Sequence, residues 1–268
     1  MTSNDTPTTG GIPAGTGGGT GGAVVNSGTA WENYWHQVDR GELAEPPWNA
    51  ASGETPVPYL AIMQQALPAD LPLVDMGCGD GRLTRHLSRH YDRVMGLDVS
   101  ASAIARARQD PGASNVEYEV LDLSDEDGAQ RLAHRLGEAN VHMRGVLHAM
   151  PPHTWPAALR ALATLTGRRG RVFDIEVRHD GAHLGQGSRS RTLIARHGQA
   201  PDRVADVGRA GLSLQRIDDL AALFRDAGWH VVEAGHETYT SDIRLPDGSL
   251  VDYPFQYVLA QPVRSPSS

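Results

Sequence analysis

The sequence predicts an α/β fold: one domain built on a doubly wound, mostly parallel sheet of seven strands that ends in an antiparallel pair. Three observations carry that expectation. The apolar run Leu73-Val74-Asp75-Met76 ends at a glycine-rich turn, Gly77-Cys78-Gly79-Asp80-Gly81, and a helix with Leu83 and Leu87 on one face opens directly after it. Short apolar runs then alternate with helical stretches as far as Val177, the pattern of parallel strands joined by crossover helices. Two last apolar runs flank Pro246-Asp247-Gly248, a turn sequence, and read as an antiparallel pair.

Residues 1–28 are almost wholly Thr, Gly, Ser, Pro and Ala, too poor in apolar surface to offset ordering entropy, and are expected to be a disordered tail. Residues 29–57 form an aromatic segment: Trp31 and Trp35 stand i, i+4 on one helical face beside Tyr34, and Trp48 follows Pro46-Pro47. Such a segment either packs a helix onto the body or folds as a lid over a cation, and the sequence leaves both open.

The main domain, 58–262, begins with a helix over Pro58–Leu67 and a strand over Leu71–Met76. A second strand, Val94–Leu97, ends at Asp98-Val99, and Ser100 serves as N-cap for a helix over Ala101–Arg108. The third, Val116–Leu121, alternates apolar and polar up to Asp122-Leu123. Strand four, Val141–Met143, runs into Arg144-Gly145-Val146-Leu147-His148, and a helix from Pro156 carries Leu159, Leu162 and Leu165 before Gly167 and Gly170 end it. Arg171–Val177 is strand five. Residues 178–212 are polar and rich in Arg, His and Gly, long enough to be a cover insertion. A helix over Ser213–Ala227, with Ile217, Leu220, Ala221 and Phe224 on one face, leads to strands at His230–Glu233 and Tyr253–Leu259.

Composition excludes several functions. A net charge of -8 opposes a nucleic-acid groove. Lysine is absent, so no Schiff-base or lysine-base chemistry is available. The single cysteine, Cys78, rules out an intrachain disulfide. No apolar run approaches the roughly 20 residues of a membrane span, and a cytoplasmic protein is expected. No nucleophile elbow occurs, and the His86/His90 pair has Leu87 where a zinc protease has glutamate, so no metal site is expected.

The glycine loop points to a ligand, because glycines let a ligand approach bare backbone. It is not the dinucleotide fingerprint: the third glycine arrives one position early and Arg82 occupies its place. Asp75-x-Gly77-x-Gly79-x-Gly81 instead resembles the first motif of the class I, Rossmann-like S-adenosylmethionine-dependent methyltransferases. Asp98 lies 17 residues beyond Gly81, near the separation at which a βαβ unit places a carboxylate on a ribose.

The resemblance implies S-adenosylmethionine as cofactor and S-adenosylhomocysteine as product. By it Asp75, Gly77, Cys78, Gly79 and Gly81 hold the methionine end, Asp98 and Val99 the ribose, and Asp122 and Leu123 the adenine. Arg144 would border the cofactor, while Tyr34 and Trp35 would close over the sulfonium. Leu147-His148-Ala149-Met150-Pro151 resembles the segment after strand four in small-molecule methyltransferases, where it borders cofactor and acceptor. Asn140 replaces the acid common at that strand's start. Trp31-x-x-x-Trp35 followed by Pro47-Trp48 is similar to the N-terminal segment of thiopurine, thiol and halide methyltransferases.

Methyl transfer needs a base only when the acceptor carries a proton. His148 and His153 are the candidates, each with an alternative structural role bonded to backbone; Glu176 and His179 are weaker ones. The expected acceptor is an oxygen or nitrogen of a small metabolite, in secondary metabolism, handled by a monomer or homodimer without nucleic acid or membrane. A thiol or halide acceptor, or a non-methylating cyclase or binding protein with the same pocket, stays open.

Overall fold

The computed structural model describes residues 27–43, 46, 59–110, 112, 114–178, 212, 214–244 and 250–263. The expected tail, 1–28, lies outside the described residues as far as residue 26, its last two residues being the start of the first helix; Trp48, His179, most of the cover insertion and the Pro246-Asp247-Gly248 turn also lie outside the described residues.

Helix α1 (Ser27–Asp39) precedes the sheet and α2 (Leu60–Ala66) leads into β1 (Leu73–Met76). Then follow α3 (Arg82–Leu87), β2 (Val94–Asp98), α4 (Ala101–Gln109), β3 (Val116–Val120), α5 (Glu126–Leu136) and β4 (Asn140–Arg144). Two 3-10 turns, Leu147–Ala149 and Pro152–Thr154, carry the chain into α6 (Trp155–Thr166) and β5 (Val172–Val177). The chain closes with α7 (Leu220–Asp226), β6 (Trp229–Arg244) and β7 (Leu250–Pro262).

The seven strands lie in the order β3-β2-β1-β4-β5-β7-β6, with β7 antiparallel to both its neighbours. The strand order reverses between β1 and β4, and in open α/β sheets the ligand crevice forms outside the carboxyl ends at such a point. Val74, Met76, Met143 and Val172 pack on one face with residues of α5, α6 and α7. Leu73, Val94, Phe173 and Ile175 pack on the other with residues of α2 and α3. Asn140 donates to Pro68 O at 2.8 Å, tying the start of β4 to the chain before β1.

Two elements differ from the sequence pattern. Helix α7 begins at Leu220 rather than at Ser213. Asp219 caps it by accepting from Ala222 N at 2.8 Å, and upstream the carbonyl of Ile217 is taken by Gln256 of β7 at 2.8 Å. Ile217 is buried as its spacing suggested, but from backbone outside the helix. The last two strands run much longer than their apolar cores, with Thr238–Arg244 and Leu250–Pro254 paired beyond the carboxyl end of β5. An edge strand is held by backbone pairing with little burial, so apolar alternation does not mark it.

Candidate active site

The glycine loop connects β1 to α3 with Gly77, Gly79 and Gly81 at φ 73, 55 and 76, a region that side chains disfavour. Leu97 O at the end of β2 accepts from Gly77 N at 2.7 Å and Cys78 N at 2.9 Å, which pins the loop to the sheet edge. A Cβ on Gly79 would lie 2.9 Å from the ring of Trp35, and one on Gly77 2.6 Å from Val146. The loop is thus closed in by α1 on one side and by the segment after β4 on the other. Cys78 is buried; burial and the surrounding Asp98, Asp75 and Asp80 push its thiol well up, so it is a neutral space-filler.

Asp98 organises this loop. Its two carboxylate oxygens accept from Gly79 N and Ser100 N, each at 2.9 Å, and Asp98 O accepts from Leu121 N at 2.9 Å. Burial pushes its carboxyl up to about 6, against those two hydrogen bonds, with Asp75 and Glu32 adding to the rise. Among the described residues no cation contributes. A buried carboxylate with spare lone pairs and no positive partner suits the hydroxyls of a ribose. Val99 is half-buried beside it. At the end of β3, Asp122 accepts from Ser124 N at 2.8 Å and Ser124 Oγ at 2.7 Å, a local turn, while Leu123 is buried in the core.

The first acid of the motif is turned inward. Asp75 accepts from Thr84 Oγ1 at 2.6 Å and contacts His142 Nδ1 at 2.8 Å; His142 Nε2 meets the Tyr59 hydroxyl at 3.2 Å. The Tyr59 hydroxyl is pushed up to about 12 by burial, so it stays a donor to His142, with the charge of Arg144 acting against that rise. One consistent chain of donors therefore runs from Tyr59 through His142 to Asp75. All of Asp75's oxygens are used within the protein.

The aromatic segment is docked. Tyr34 and Trp35 are fully buried, with ring centroids 5.6 Å apart, and pack with Val38 against Ala103 of α4. Glu32 accepts from Ser100 Oγ at 2.6 Å, Ser102 Oγ at 2.6 Å and Ser102 N at 3.2 Å, joining α1 to the start of α4. No local pattern singles out Glu32, since its partners lie 68 and 70 residues away.

After β4, the two candidate histidines separate. His153 is exposed on the second 3-10 turn. His148 is buried on the first, its Nδ1 in contact with the carboxylate of Glu176, which also accepts from Leu147 N at 2.7 Å and His148 N at 3.3 Å. Glu176, read from sequence as a lesser candidate base, is fully buried on β5 and partnered to the stronger one. Among the described residues Nε2 of His148 has no protein partner.

Comparison with known proteins fits this arrangement. Residues 50–234 match the family model of the methyltransferase domain. An S-adenosylmethionine-dependent methyltransferase from Anabaena variabilis is 26% identical, aligned over 89% of this chain and 96% of that one, with a TM-score of 0.78. Two more distant structures share the fold. One, from work on the conversion of a disulfide bond into a thioacetal group during echinomycin biosynthesis, is 22% identical over 87% of this chain and 94% of that one, at a TM-score of 0.61. The other, magnesium protoporphyrin IX methyltransferase from Synechocystis with S-adenosylhomocysteine bound, is 18% identical over 89% and 100%, at 0.54. A family match over most of the chain, the seven-stranded sheet and the glycine loop at its switch point agree: the chain belongs to the methyltransferase domain family and is a class I S-adenosylmethionine-dependent methyltransferase.

Proposed function

We propose that this enzyme methylates an oxygen or nitrogen nucleophile of a small metabolite, with His148 receiving the acceptor's proton. The observation that carries this reading is the state of His148: Nδ1 is engaged by Glu176, and Nε2 has no protein partner among the described residues. The segment that carries it borders the cofactor loop, since Val146, two residues before His148, lies against Gly77.

S-adenosylmethionine supplies an electrophilic methyl on a sulfonium when bound. The residues fit it: the exposed backbone at Gly77 would receive the methionine end, the carboxylate of Asp98 the ribose hydroxyls, and Asp122-Leu123 the adenine edge. Trp35 covers the loop, and the concentration of carboxylates at Glu32, Asp75, Asp80 and Asp98 favours a cationic ligand. Apart from His148, the protein's work is alignment of the acceptor and exclusion of water.

A small acceptor in the cytoplasm is favoured over nucleic acid by the net charge of -8, and no helix among the described residues is long and apolar enough to cross a membrane. The fold shared with a protein from echinomycin biosynthesis supports a place in secondary metabolism. The chain would act as a monomer or homodimer. The thiol and halide reading rests on the aromatic segment; Trp35 is accounted for by packing on Gly79, which weakens it.

The test is release of S-adenosylhomocysteine in a screen of a phenol, a carboxylic acid, an amine, thiophenol and iodide. Turnover of an oxygen or nitrogen acceptor, lost about 100-fold or more in His148→Ala and kept in His153→Ala, is the expected result for a base. Efficient methylation of iodide or thiophenol, or full turnover in His148→Ala, would overturn it.

A further inference from the structure

We infer that Glu176 is the positioning residue for His148: its carboxylate receives the ring's Nδ1–H together with the backbone N–H groups of Leu147 and His148, leaving Nε2 as the ring's acceptor nitrogen. This rests on the proposed role of His148 as base.

The donor set decides the tautomer. A carboxylate receiving two backbone N–H groups is stabilised in its ionised form, and an ionised carboxylate can only accept. The ring nitrogen in contact with it must therefore carry the proton, and in a neutral imidazole the other nitrogen is then bare. With the opposite tautomer Nε2 would be a donor and could take no proton from an acceptor.

The same carboxylate fixes the main chain. Leu147 and His148 open the 3-10 turn after β4, so their N–H groups have no partner within it, and Glu176 takes both. Ring and backbone of His148 are thus held by one group on the neighbouring strand. Gly145 completes the seat: it stands at φ 73, and a Cβ there would lie 3.0 Å from Cε1 of the histidine. A side chain at 145 would push the ring from its place.

A second carboxyl group stands on the same strand as Glu176. Asp174, two residues back on the same face of β5, is fully buried, and among the described residues neither of its oxygens has a hydrogen-bond partner. Burial, reinforced by the charge of Glu176, pushes its carboxyl well up. Asp174 is thus biased toward its neutral form, and the hydrogen-bond donors at this place gather on Glu176 instead.

The experiment reads the tautomer directly in the full chain, labelled with 15N-histidine, at a pH where the ring is neutral; the signal of His148 is identified by its loss in His148→Gln. The expected result is a protonated Nδ1 and a bare Nε2 in the wild type, with reversal or averaging of the two in Glu176→Gln, whose amide can donate to Nδ1. Glu176→Asp keeps the charge and restores the wild-type tautomer in part. On the oxygen or nitrogen acceptor that the screen identifies, Glu176→Gln is expected to lower kcat to within about threefold of His148→Ala, with little further loss in the double variant, as for residues acting as a unit. A wild-type His148 protonated on Nε2 overturns the inference, and so does a Glu176→Gln variant with unchanged tautomer and kcat. The wild-type spectrum needs neither a stable variant nor an acceptor, so it separates failure here from failure of the base reading, which full turnover in His148→Ala would reveal.

Discussion

At the scale of single residues, Asp98 shows how a position read from spacing acquires a second role once its neighbours are known. Its distance from Gly81 marked it for a ribose; what spacing could not reveal is that it already accepts from Gly79 and Ser100 and so shapes the loop. Its carboxyl, lifted to about 6 by burial, has a consequence for binding. In the proposed ribose contact the hydroxyls would donate to the ionised form, so cofactor affinity should be full above pH 6 and fall below it, approaching tenfold per pH unit. Calorimetric titration at pH 5, 6 and 7.5 should show that fall, and Asp98→Asn should bind about 10-fold or more weakly than the wild type at pH 7.5 with the slope removed, so that the two converge toward pH 5. Asp174 behaves oppositely to a salt-bridged acid. Because its folded-state carboxyl is raised, stability is greatest below the ordinary carboxylate range and declines as pH climbs through the raised value. Asp174→Asn should therefore gain stability at pH 8, on the order of 1 kcal/mol or more, worth about 2–4 °C in melting temperature per kcal/mol, and gain little at pH 5. Identical melting shifts at both pH values would contradict the burial of a proton there.

At the scale of elements, local pattern located nearly every helix and strand inside the parallel core, because each has its own apolar period. It failed where an element is defined by partners distant in sequence. Helix α7 starts where Asp219 caps it, and β6 extends as far as β7 will pair with it. The aromatic spacing of Trp31 and Trp35 predicted a helix with one packed face; in the fold Tyr34 and Trp35 are buried and Trp31 is only half-buried, so the packed face is rotated toward Tyr34. What fixes α1 is Glu32. Burial alone would raise its carboxyl, yet hydrogen bonds from Ser100 and Ser102 hold it below the usual range. Glu32→Ala should free the start of α4 and loosen α1. Trp35→Ala should cost roughly 3–5 kcal/mol as a buried tryptophan truncation and weaken cofactor retention with it, since its ring lies against Gly79. Equilibrium unfolding alongside cofactor titration checks both. A Trp35→Ala protein with normal cofactor affinity would make α1 a packing element and nothing more.

At the scale of the whole molecule, the sheet gathers acids at its carboxyl edge. Strands β1, β2 and β5 contribute Asp75, Asp98, Asp174 and Glu176, and α1 brings Glu32 to the same end through the start of α4. The acids of β1 and β2 were legible because motif and strand end coincide. The couplings among them were not: Asp75 with His142, Glu176 with His148 and Glu32 with Ser100 each join segments between 28 and 68 residues apart. The negative field of those acids that are ionised, Asp174 aside, on a chain of net charge -8, acts differently on cofactor and product. S-adenosylmethionine carries a sulfonium and S-adenosylhomocysteine a neutral thioether, so the two differ by one positive charge at the same place. Salt shortens the reach of the field from about 30 Å at 0.01 M to about 3 Å at 1 M, and the screened part of that attraction belongs to the cofactor alone. Raising sodium chloride from 10 mM to 500 mM should therefore weaken S-adenosylmethionine about two- to fivefold, an exposed-charge effect of under ~1 kcal/mol, while leaving S-adenosylhomocysteine nearly unchanged. Product inhibition should deepen with ionic strength in the same proportion. Equal salt dependence for the two ligands would mean that the carboxylates at this edge are too deeply buried, or too fully paired, to act on the methyl-bearing sulfur.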